Sequence, residues 1–327
     1  MTRLKPWLWI SPAIAHKLSP SLIKSLGLLG GRPPEWNTFK WRGLHFPNRL
    51  GIAGGVDKDA VNTRDWWRLG AGFVEVGTIT PHPQRGNTPP VLDRDVEHEA
   101  LWNRMGFPSK GVAAVKKRLK KLPRPFAAPV FANIGKNATT SLDQAAQDYL
   151  YLLEQLRGLV DGFVVNISSP NTKGLRDLLK PERLTDFLAP VLAQKSAPIL
   201  LKVSPDMEDE ELDRVLTISH DLGIDGWILT NTSQGIRENL HFPKEGGVSG
   251  RPLGPRSKQL LQRSLELLGA RRKDKLIVSV GGVMTAEDVT ERLALGADLV
   301  QVYAALVFQG PFFLRKVAQC QQVPTKI

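Results

Sequence analysis

The polar segment 166–171, Asn-Ile-Ser-Ser-Pro-Asn, holds residue types that can do chemistry. It directly follows the apolar run 162–165, Gly-Phe-Val-Val, which predicts a short buried strand. Carboxamides that both donate and accept, with hydroxyls between them, favour a planar, polar, hydrogen-bonding substrate. We therefore predict that Asn166, Ser169 and Asn171 lie at the mouth of a binding site.

Other apolar runs along the chain end in residues of a similar kind. Glycines at these ends let the backbone approach a ligand, and the polar residues can bind it. If the strands form one barrel, their ends surround a single site for something large and polar. The residues concerned are Gly54, Gly55, Val56, Asp57, Lys58, Thr78, Asn133, Thr230, Asn231, Thr232, Gly281, Gly282, Tyr303 and Ala304.

Two lysines carry the strongest charge signals. Lys202 lies inside the apolar run 199–203, where a buried ammonium needs an anionic partner to stay charged. A flavin would supply one, because its N1–C2=O edge becomes negative on reduction; the alternative is a structural ion pair. Lys58 follows two glycines and lies between Asp57 and Asp59, so it is either a binding group for an anion or a surface charge.

The glycines near the end of the chain predict a phosphate site. Gly250, Gly282, Tyr303 and Ala304 fall where (β/α)8 barrels usually hold phosphate on backbone N–H groups and a helix N-terminus. The alternative is that the glycines only form tight turns. Neither a dinucleotide-binding glycine motif nor a P-loop is present in the sequence.

The elements that must position these residues alternate between strand and helix. Eight candidate strands, mostly separated by segments with helical spacing, predict an α/β fold, a (β/α)8 TIM barrel. A doubly wound open sheet is the rival architecture. The predicted strands are 50–53, 73–76, 130–133, 163–166, 199–203, 227–230, 276–280 and 299–303.

Two long connections complete the predicted mouth, and a hairpin precedes the barrel. Residues 81–107 are unusually long for a strand-to-helix connection, which indicates a functional loop. The second connection is 234–255, and the short hairpin runs through 40–45.

The first thirty residues predict an N-terminal amphipathic helical extension, with residues 31–327 forming the barrel domain. Two Ser-Pro pairs, at Ser11 and Ser19, each indicate a helix start, so we expect two short helices with Gly27 closing the second. Basic residues beside the apolar face, Arg3, Lys5, Lys17 and Lys24, favour an interfacial anchor over a spanning helix. A helical lid over one end of the domain is the alternative.

Composition narrows the classes of partner. The chain carries 44 Lys and Arg against 32 Asp and Glu, a net charge of +12, which suits nucleic acid, an anionic membrane surface or an anionic small molecule. The single cysteine, Cys320, excludes a disulfide framework and a cysteine-based metal site. The histidines show no metal-ligand spacing, so we predict no metal.

Taken together, the motifs resemble those of the dihydroorotate dehydrogenases from about residue 41 to residue 311. Each motif alone is weakly specific, whereas the seven motifs in this order and at this spacing are highly specific. The motifs are 54–59, 103–107, 133–137, 166–172, 230–232, 246–253 and 281–282.

The resemblance implies one flavin mononucleotide (FMN) per chain and the oxidation of dihydroorotate to orotate in pyrimidine synthesis. It implies Ser169 as the catalytic base, since soluble members of the family carry cysteine there. Serine, with the N-terminal extension, is typical of the membrane-associated class that reduces ubiquinone or menaquinone. A peripheral protein on the cytoplasmic face of a bacterial inner membrane is then expected, without a nucleic-acid partner.

The resemblance also assigns roles to the remaining motif residues. It places Arg104 nearer the quinone side and Phe107 beside the base, and Ala304 stands where the family commonly has Ser or Thr. The implied substrate-binding residues are Lys58, Asn103, Arg104, Met105, Gly106, Phe107, Asn166, Asn171, Asn231 and Thr232. The implied FMN-binding residues are Gly54, Gly55, Val56, Asp57, Lys58, Thr78, Asn133, Asn166, Lys202, Thr230, Gly250, Gly282, Tyr303 and Ala304.

Two other functions compete with this interpretation. A dihydrouridine synthase explains the basic charge through tRNA binding, but it needs a catalytic cysteine on a loop at the mouth, and Cys320 lies beyond the eighth strand. A non-enzymatic RNA-binding barrel is disfavoured because no module of stacking aromatic and basic residues is present.

Overall fold

A computed structural model describes residues 5–322. Residues 1–4 of the predicted N-terminal extension, with Arg3, and residues 323–327 of the predicted barrel domain lie outside the described residues. Eight parallel strands close into a barrel, and each is hydrogen-bonded to its two neighbours. The predicted (β/α)8 architecture is confirmed and the open sheet is excluded. The barrel strands, in their order around the barrel, are β3 (Leu50–Asp57), β4 (Val74–Ile79), β7 (Val130–Ile134), β8 (Gly162–Asn166), β9 (Ile199–Lys202), β10 (Gly226–Leu229), β12 (Leu276–Val280) and β13 (Leu299–Val302).

Helices pack on the outside of the barrel and bury its outward-facing side chains in one large apolar cluster. Their apolar residues recur at helical spacing, so each helix turns one face to the strands. Leu152, Leu153 and Leu156 are examples that are almost fully buried. The outer helices are α2 (Thr63–Arg68), α3 (Val112–Leu119), α4 (Ala145–Leu156), α5 (Pro181–Ala193), α6 (Asp209–Asp221), α7 (Gly254–Leu268), α8 (Ala286–Ala294), α9 (Ala304–Phe308) and α10 (Phe313–Gln322).

The amino-terminal end of the barrel is closed by the predicted hairpin, β1 (Phe39–Trp41) and β2 (Leu44–Phe46). Phe46 enters the barrel, where its ring centroid lies 5.9 Å from that of Phe73 and 6.4 Å from that of Phe131. Gly51 and Gly162 leave room for these rings, because a Cβ at either position would lie 2.6 Å from a phenylalanine carbon. Aromatic rings therefore fill the amino-terminal end of the barrel interior, which leaves the carboxyl end for a ligand.

The two long connections meet over the mouth in a small antiparallel sheet, which the sequence did not predict. It consists of β5 (Leu92–Asp95), β6 (Ala100–Asn103) and β11 (Gly247–Gly250), with β6 in the centre. The Trp102 indole N–H donates to the Glu245 carbonyl at 2.6 Å, which ties one connection to the other. This sheet holds Asn103 and Gly250 at the rim of the barrel.

In the described part of the N-terminal segment, from residue 5 onward, one helix, α1 (Pro12–Gly27), follows a single 3-10 turn, Pro6–Leu8. Ser11 caps α1 by accepting the Ile14 N–H, and the helix closes at Gly27, both as predicted. The prediction of a second helix starting at Ser19 is wrong, because Pro20 lies inside α1. Proline cannot donate to the His16 carbonyl one turn earlier, but the Ser19 hydroxyl does so at 2.9 Å, which compensates for the missing bond.

Candidate active site

A large cleft lies at the carboxyl end of the barrel, under the three-stranded sheet. The open space inside it, including the solvent at its mouth, is about 1010 Å³. Most of the residues predicted from the strand ends line it. They are Gly54, Gly55, Lys58, Thr78, Asn103, Met105, Gly106, Phe107, Asn166, Ser169, Asn171, Lys202, Thr230, Asn231, Thr232, Gly250, Gly282, Tyr303 and Ala304.

Four of the predicted site residues lie outside this lining. Arg104 points away, donating to the Thr88 carbonyl at 3.0 Å and pairing with Glu245 at 3.3 Å. Asp57 is buried and accepts from the Val61 N–H and the Thr63 hydroxyl, each at 2.7 Å, so it shapes the loop that presents Lys58. Val56 and Asn133 are the other two.

Ser169 is 5% exposed and sits on the loop after β8, at the edge of the cleft. Within the described residues its Oγ has one hydrogen-bonding partner, the Asn171 N–H, at 3.3 Å. Because that bond uses an Oγ lone pair, the hydroxyl keeps its own proton and a second lone pair for a ligand. Neither a histidine nor a carboxylate hydrogen-bonds to Ser169 in the part of the chain that the structure describes.

Asparagine side chains from several strands are fixed to one another around Ser169. Asn171 donates to the Asn103 Oδ1 at 2.7 Å, which links the Ser169 loop to β6. Asn231 donates to the Asn166 Oδ1 at 3.2 Å, and Asn166 in turn donates to the Asn133 Oδ1 at 3.1 Å. Amide pairs of this kind hold each remaining donor or acceptor in a defined direction.

Three polar atoms at this cleft are buried without a hydrogen-bond partner among residues 5–322: Asn171 Oδ1, Thr232 Oγ1 and Gln301 Oε1. Buried polar groups are normally paired, and an unpaired one lowers the stability of the fold. All three belong to residues that line the cleft, so a polar ligand would supply the missing partners. Two of these atoms are amide oxygens that accept, and the Thr232 hydroxyl can donate or accept, so the set fits a ring system that carries N–H groups.

A charged network lies in the barrel below the cleft and involves a residue that the sequence interpretation missed. The Lys202 ammonium is 3.3 Å from Glu75 Oε1, and both side chains are nearly or fully buried. Glu75 also accepts from Gln301 at 2.7 Å and from Asn133 at 2.5 Å. Lys202 therefore has a structural partner and still lines the cleft, so the two explanations for it are compatible. The sequence did contain a signal for Glu75, because a carboxylate within the mostly apolar strand β4 needs a buried partner.

Lys58 faces the cleft on one side and helix α1 on the other. Its ammonium lies 3.2 Å from His16 Nε2. Burial lowers the pKa of Lys58 to about 8, despite the opposing charges of Asp59 and Asp57. Burial, with the charge of Lys58, lowers the pKa of His16 to about 4, so this histidine is neutral at pH 7. An anionic ligand in the cleft would favour the charged form of Lys58.

The predicted phosphate-binding residues form a cradle of closely packed backbone. Gly282 has a φ of +68°, and a Cβ there would lie 2.1 Å from the Gly254 Cα. Gly250 has a φ of +92°, and a Cβ there would lie 2.1 Å from the Glu99 carbonyl oxygen. Both glycines are thus required by the close approach of the turns, and helix α7 begins at Gly254 in the same place. A helix start beside exposed turn amides is suited to a phosphate.

The remaining titratable clusters do not compete with this cleft. Within the described chain no group of three His, Cys, Asp or Glu side chains is arranged to hold a metal ion. Cys320 is exposed on α10 and does not line the cleft, so it is not placed as the catalytic cysteine of a dihydrouridine synthase. The fold and the cleft define a (β/α)8-barrel protein with one polar ligand site at its carboxyl end.

Comparison with known proteins agrees with this description. Residues 38–323 match the family model described as dihydroorotate dehydrogenase. The chain is 39% identical to a dihydroorotate dehydrogenase (quinone) of Dichelobacter nodosus, over 98% of this chain and 97% of that one. It is 46% identical to an enzyme of the same name from Thermus thermophilus, over 84% and 79% of the two chains.

A solved structure is similar over nearly the whole fold. It is a crystal structure of DHODH from Eimeria tenella in complex with ferulenol, with a TM-score of 0.82 and 30% identity, covering 94% of this chain and 90% of that one. The chain belongs to the dihydroorotate dehydrogenase family, and its sequence relatives place it with the quinone-dependent members.

Proposed function

We propose that this protein oxidises dihydroorotate to orotate in pyrimidine biosynthesis, using FMN, and passes the electrons to a membrane quinone. The observation that carries the proposal is the set of unpaired buried atoms, Asn171 Oδ1, Thr232 Oγ1 and Gln301 Oε1, in residues lining one cleft with Ser169. Family membership supports the same reaction.

The residues present fit FMN on two independent counts. Close packing without Cβ atoms at Gly250 and Gly282 brings their turns and the start of α7 together at the cleft, an arrangement suited to a phosphate. Lys202 is positioned by Glu75 at the base of the cleft, where its ammonium would stabilise negative charge on the flavin ring. Bound FMN supplies the hydride acceptor. Thr78, Thr230 and two glycines near the carboxyl end of β3, Gly54 and Gly55, complete the proposed flavin site.

The substrate would lie against the asparagine side chains and Lys58. The Asn103–Asn171 pair and the Asn166–Asn231 pair direct their free donors and acceptors at a planar ring with carbonyl and N–H groups. Lys58 would bind the substrate carboxylate as a half-buried cation. With the ring fixed in this way, the carbon that loses a proton can be presented to Ser169 while the neighbouring carbon presents its hydride.

Ser169 is the proposed general base, which takes the proton from C5 of dihydroorotate. A serine hydroxyl is a weak base, so its contribution depends on position and on the exclusion of water. Burial of Ser169 to 5% exposure and the Asn171 N–H bond to its oxygen supply both conditions. Rate contributions of such a base are on the order of a hundredfold or more.

The N-terminal segment is the proposed route of the quinone and the contact with the membrane surface. Ile14, Leu18 and Leu22 are one turn apart on α1 and are each more than half exposed, which gives the helix an unburied apolar stripe. None of the described helices has the length and apolarity to cross a bilayer. His16 on the same helix reaches Lys58 at the cleft, so the helix connects the proposed membrane face with the site.

This arrangement supports a peripheral protein on the cytoplasmic face of a bacterial inner membrane. The basic charge of the chain then meets anionic lipid head groups. Ubiquinone and menaquinone are both consistent with the proposal.

The direct test is an absorption spectrum of the purified protein, followed by anaerobic addition of dihydroorotate. We expect a flavin spectrum that is bleached by dihydroorotate and restored by a short-chain quinone. A folded, colourless preparation that takes up no added FMN would contradict the proposal, as would a flavin spectrum that dihydroorotate does not bleach.

A further inference from the structure

Arg292 is a buried cation that the proposed reaction does not yet explain. It lies on helix α8, is 3% exposed, and extends behind the glycine turns of the phosphate cradle. Its Nη2 donates to the Gly254 carbonyl at 2.9 Å and to the Ser257 Oγ at 2.8 Å. Its guanidinium also reaches the Gly281 carbonyl, at 3.3 Å. One side chain therefore joins the start of α7 to the turn after β12.

The guanidinium has no carboxylate partner within the described residues. The oxygens that it contacts are neutral carbonyls and hydroxyls, and its Nε is buried without any partner. The neighbouring carboxylates are engaged elsewhere: Asp288 accepts from backbone N–H groups at the start of α8, and Glu291 pairs with Lys258. A buried positive charge without a counter-charge destabilises the fold unless an anion is bound nearby.

The hydrogen bonds of Arg292 also orient the backbone that faces the cleft. The Gly281 carbonyl accepts from Arg292 and, at 2.6 Å, from the Ser257 hydroxyl, so it points away from the cleft. In a trans peptide the N–H points opposite to the C=O, so the Gly282 N–H is directed the other way, on the side where Gly282 lines the cleft. Arg292 thus orients the Gly282 N–H as a donor for an anion, and its own positive charge lies on the far side of that turn from the cleft.

We propose that Arg292 is the positioning and specificity-determining residue of the phosphate subsite, fixing the Gly281–Gly282 turn and contributing a buried positive charge without a directly paired carboxylate, which favours a phosphorylated flavin over an unphosphorylated one. This inference rests on the proposed function, because it takes FMN as the ligand. Arg292 does not line the cleft, and its effect passes through the turns and through its charge.

The test compares two ligands that differ only in the phosphate. Full-length wild-type protein and variants are freed of flavin, then titrated with FMN and with riboflavin, and binding is followed by flavin fluorescence. Arg292→Met should weaken FMN binding by at least about tenfold, the cost of a lost buried charge interaction, and change riboflavin binding less than about twofold. Arg214→Met, an exposed arginine on α6, is the matched control and should bind both flavins like wild type.

A role in folding alone would give a different result. Equal weakening of FMN and riboflavin by Arg292→Met would overturn the inference, as would unchanged binding of both. If that variant fails to fold, Arg292→Lys carries the test. It keeps the charge but not the planar fork, so FMN binding should weaken by at least about threefold and riboflavin binding should stay unchanged. Wild-type protein with no preference for FMN over riboflavin would contradict the proposed phosphate cradle itself, and the role of Arg292 with it.

Discussion

The floor of the cleft and the helix that borders it are built in opposite ways. The floor is a buried network in which Glu75 receives Lys202, Gln301 and Asn133. Helix α1 leaves apolar side chains such as Leu18 exposed, while Ile23 on its other face packs into the main apolar cluster and separate polar contacts add to the attachment. Among these contacts are Asn62 to the Pro20 carbonyl at 3.0 Å and Lys58 to His16.

The difference indicates two functions that can be separated. The floor has fixed charges and little freedom, which suits a prosthetic group that stays in place while its charge changes. The helix packs on the barrel by one face and has an unburied apolar stripe on the other, which suits a region that meets a membrane and a mobile acceptor. If this is correct, damage to the floor should affect flavin and stability together, whereas damage to the helix should affect only the acceptor.

The largest expected effect follows from breaking the floor. Lys202→Met leaves the Glu75 carboxylate buried without its cation, and removal of one partner of a buried pair costs about 3–5 kcal/mol. Glu75→Gln with Lys202→Met removes both charges, so the double variant should be more stable than Lys202→Met alone. Unfolding midpoints of the flavin-free proteins in urea measure both effects.

The exposed pair Lys258 and Glu291 provides the control for the floor. Lys258→Met should shift the unfolding midpoint far less than Lys202→Met, because solvent screens an exposed pair. A Lys202→Met protein with the midpoint and flavin content of wild type would show that the buried pair does not hold the floor.

Removal of the helix should have the next largest effect, and on a single half-reaction. A chain lacking residues 1–30 should reduce its flavin with dihydroorotate within about twofold of the full-length rate and lose at least about tenfold in quinone reduction, roughly the scale of one lost binding contact. Rapid-mixing measurements of each half-reaction distinguish the two. Equal losses in both would instead support a lid that is needed for folding.

The smallest effect is expected at Lys58, which lies between the cleft and helix α1. Its pKa of about 8 means that the lysine is mostly charged at pH 7 and mostly neutral at pH 9. A ligand carboxylate selects the charged form, so orotate binding should weaken by about tenfold from pH 7 to pH 9. Lys58→Gln should bind orotate more weakly at pH 7 and should lack this pH dependence. Any pH dependence that remains in the variant measures the titration of the ligand itself.

The sequence predicted the barrel well because each barrel strand is a short apolar run that ends in glycine or polar residues. Leu276–Val280 has the predicted limits, and the other strands differ by a few residues at their ends. The sheet over the mouth was missed because β5 is polar, and β6 pairs with β11, a segment about 140 residues away. Local spacing carries no information about such a pairing.

The sequence predicted the site residues that directly follow barrel strands, and it missed residues that support them from inside the barrel or from a helix. Ser169 and the asparagines follow strands directly, so their position in the chain indicated their position in the fold. Glu75 and Arg292 support the ligand-facing residues from within the barrel and from a helix, and Gln301, which lines the cleft itself, donates to Glu75. Arg104 is adjacent to Asn103 but lies just past the end of β6, where the Thr88 carbonyl and Glu245 hold it away from the cleft.

The most direct test of the account is the rate of flavin reduction by dihydroorotate in Ser169→Ala, measured anaerobically by stopped flow. The variant should bind flavin as wild type does, because Ser169 is not part of the proposed flavin cradle. Its flavin should be reduced at least about a hundredfold more slowly, the low end of general-base contributions. Ser196→Ala, an exposed serine, should react like wild type. Bleaching of Ser169→Ala at the wild-type rate would show that Ser169 is not the base.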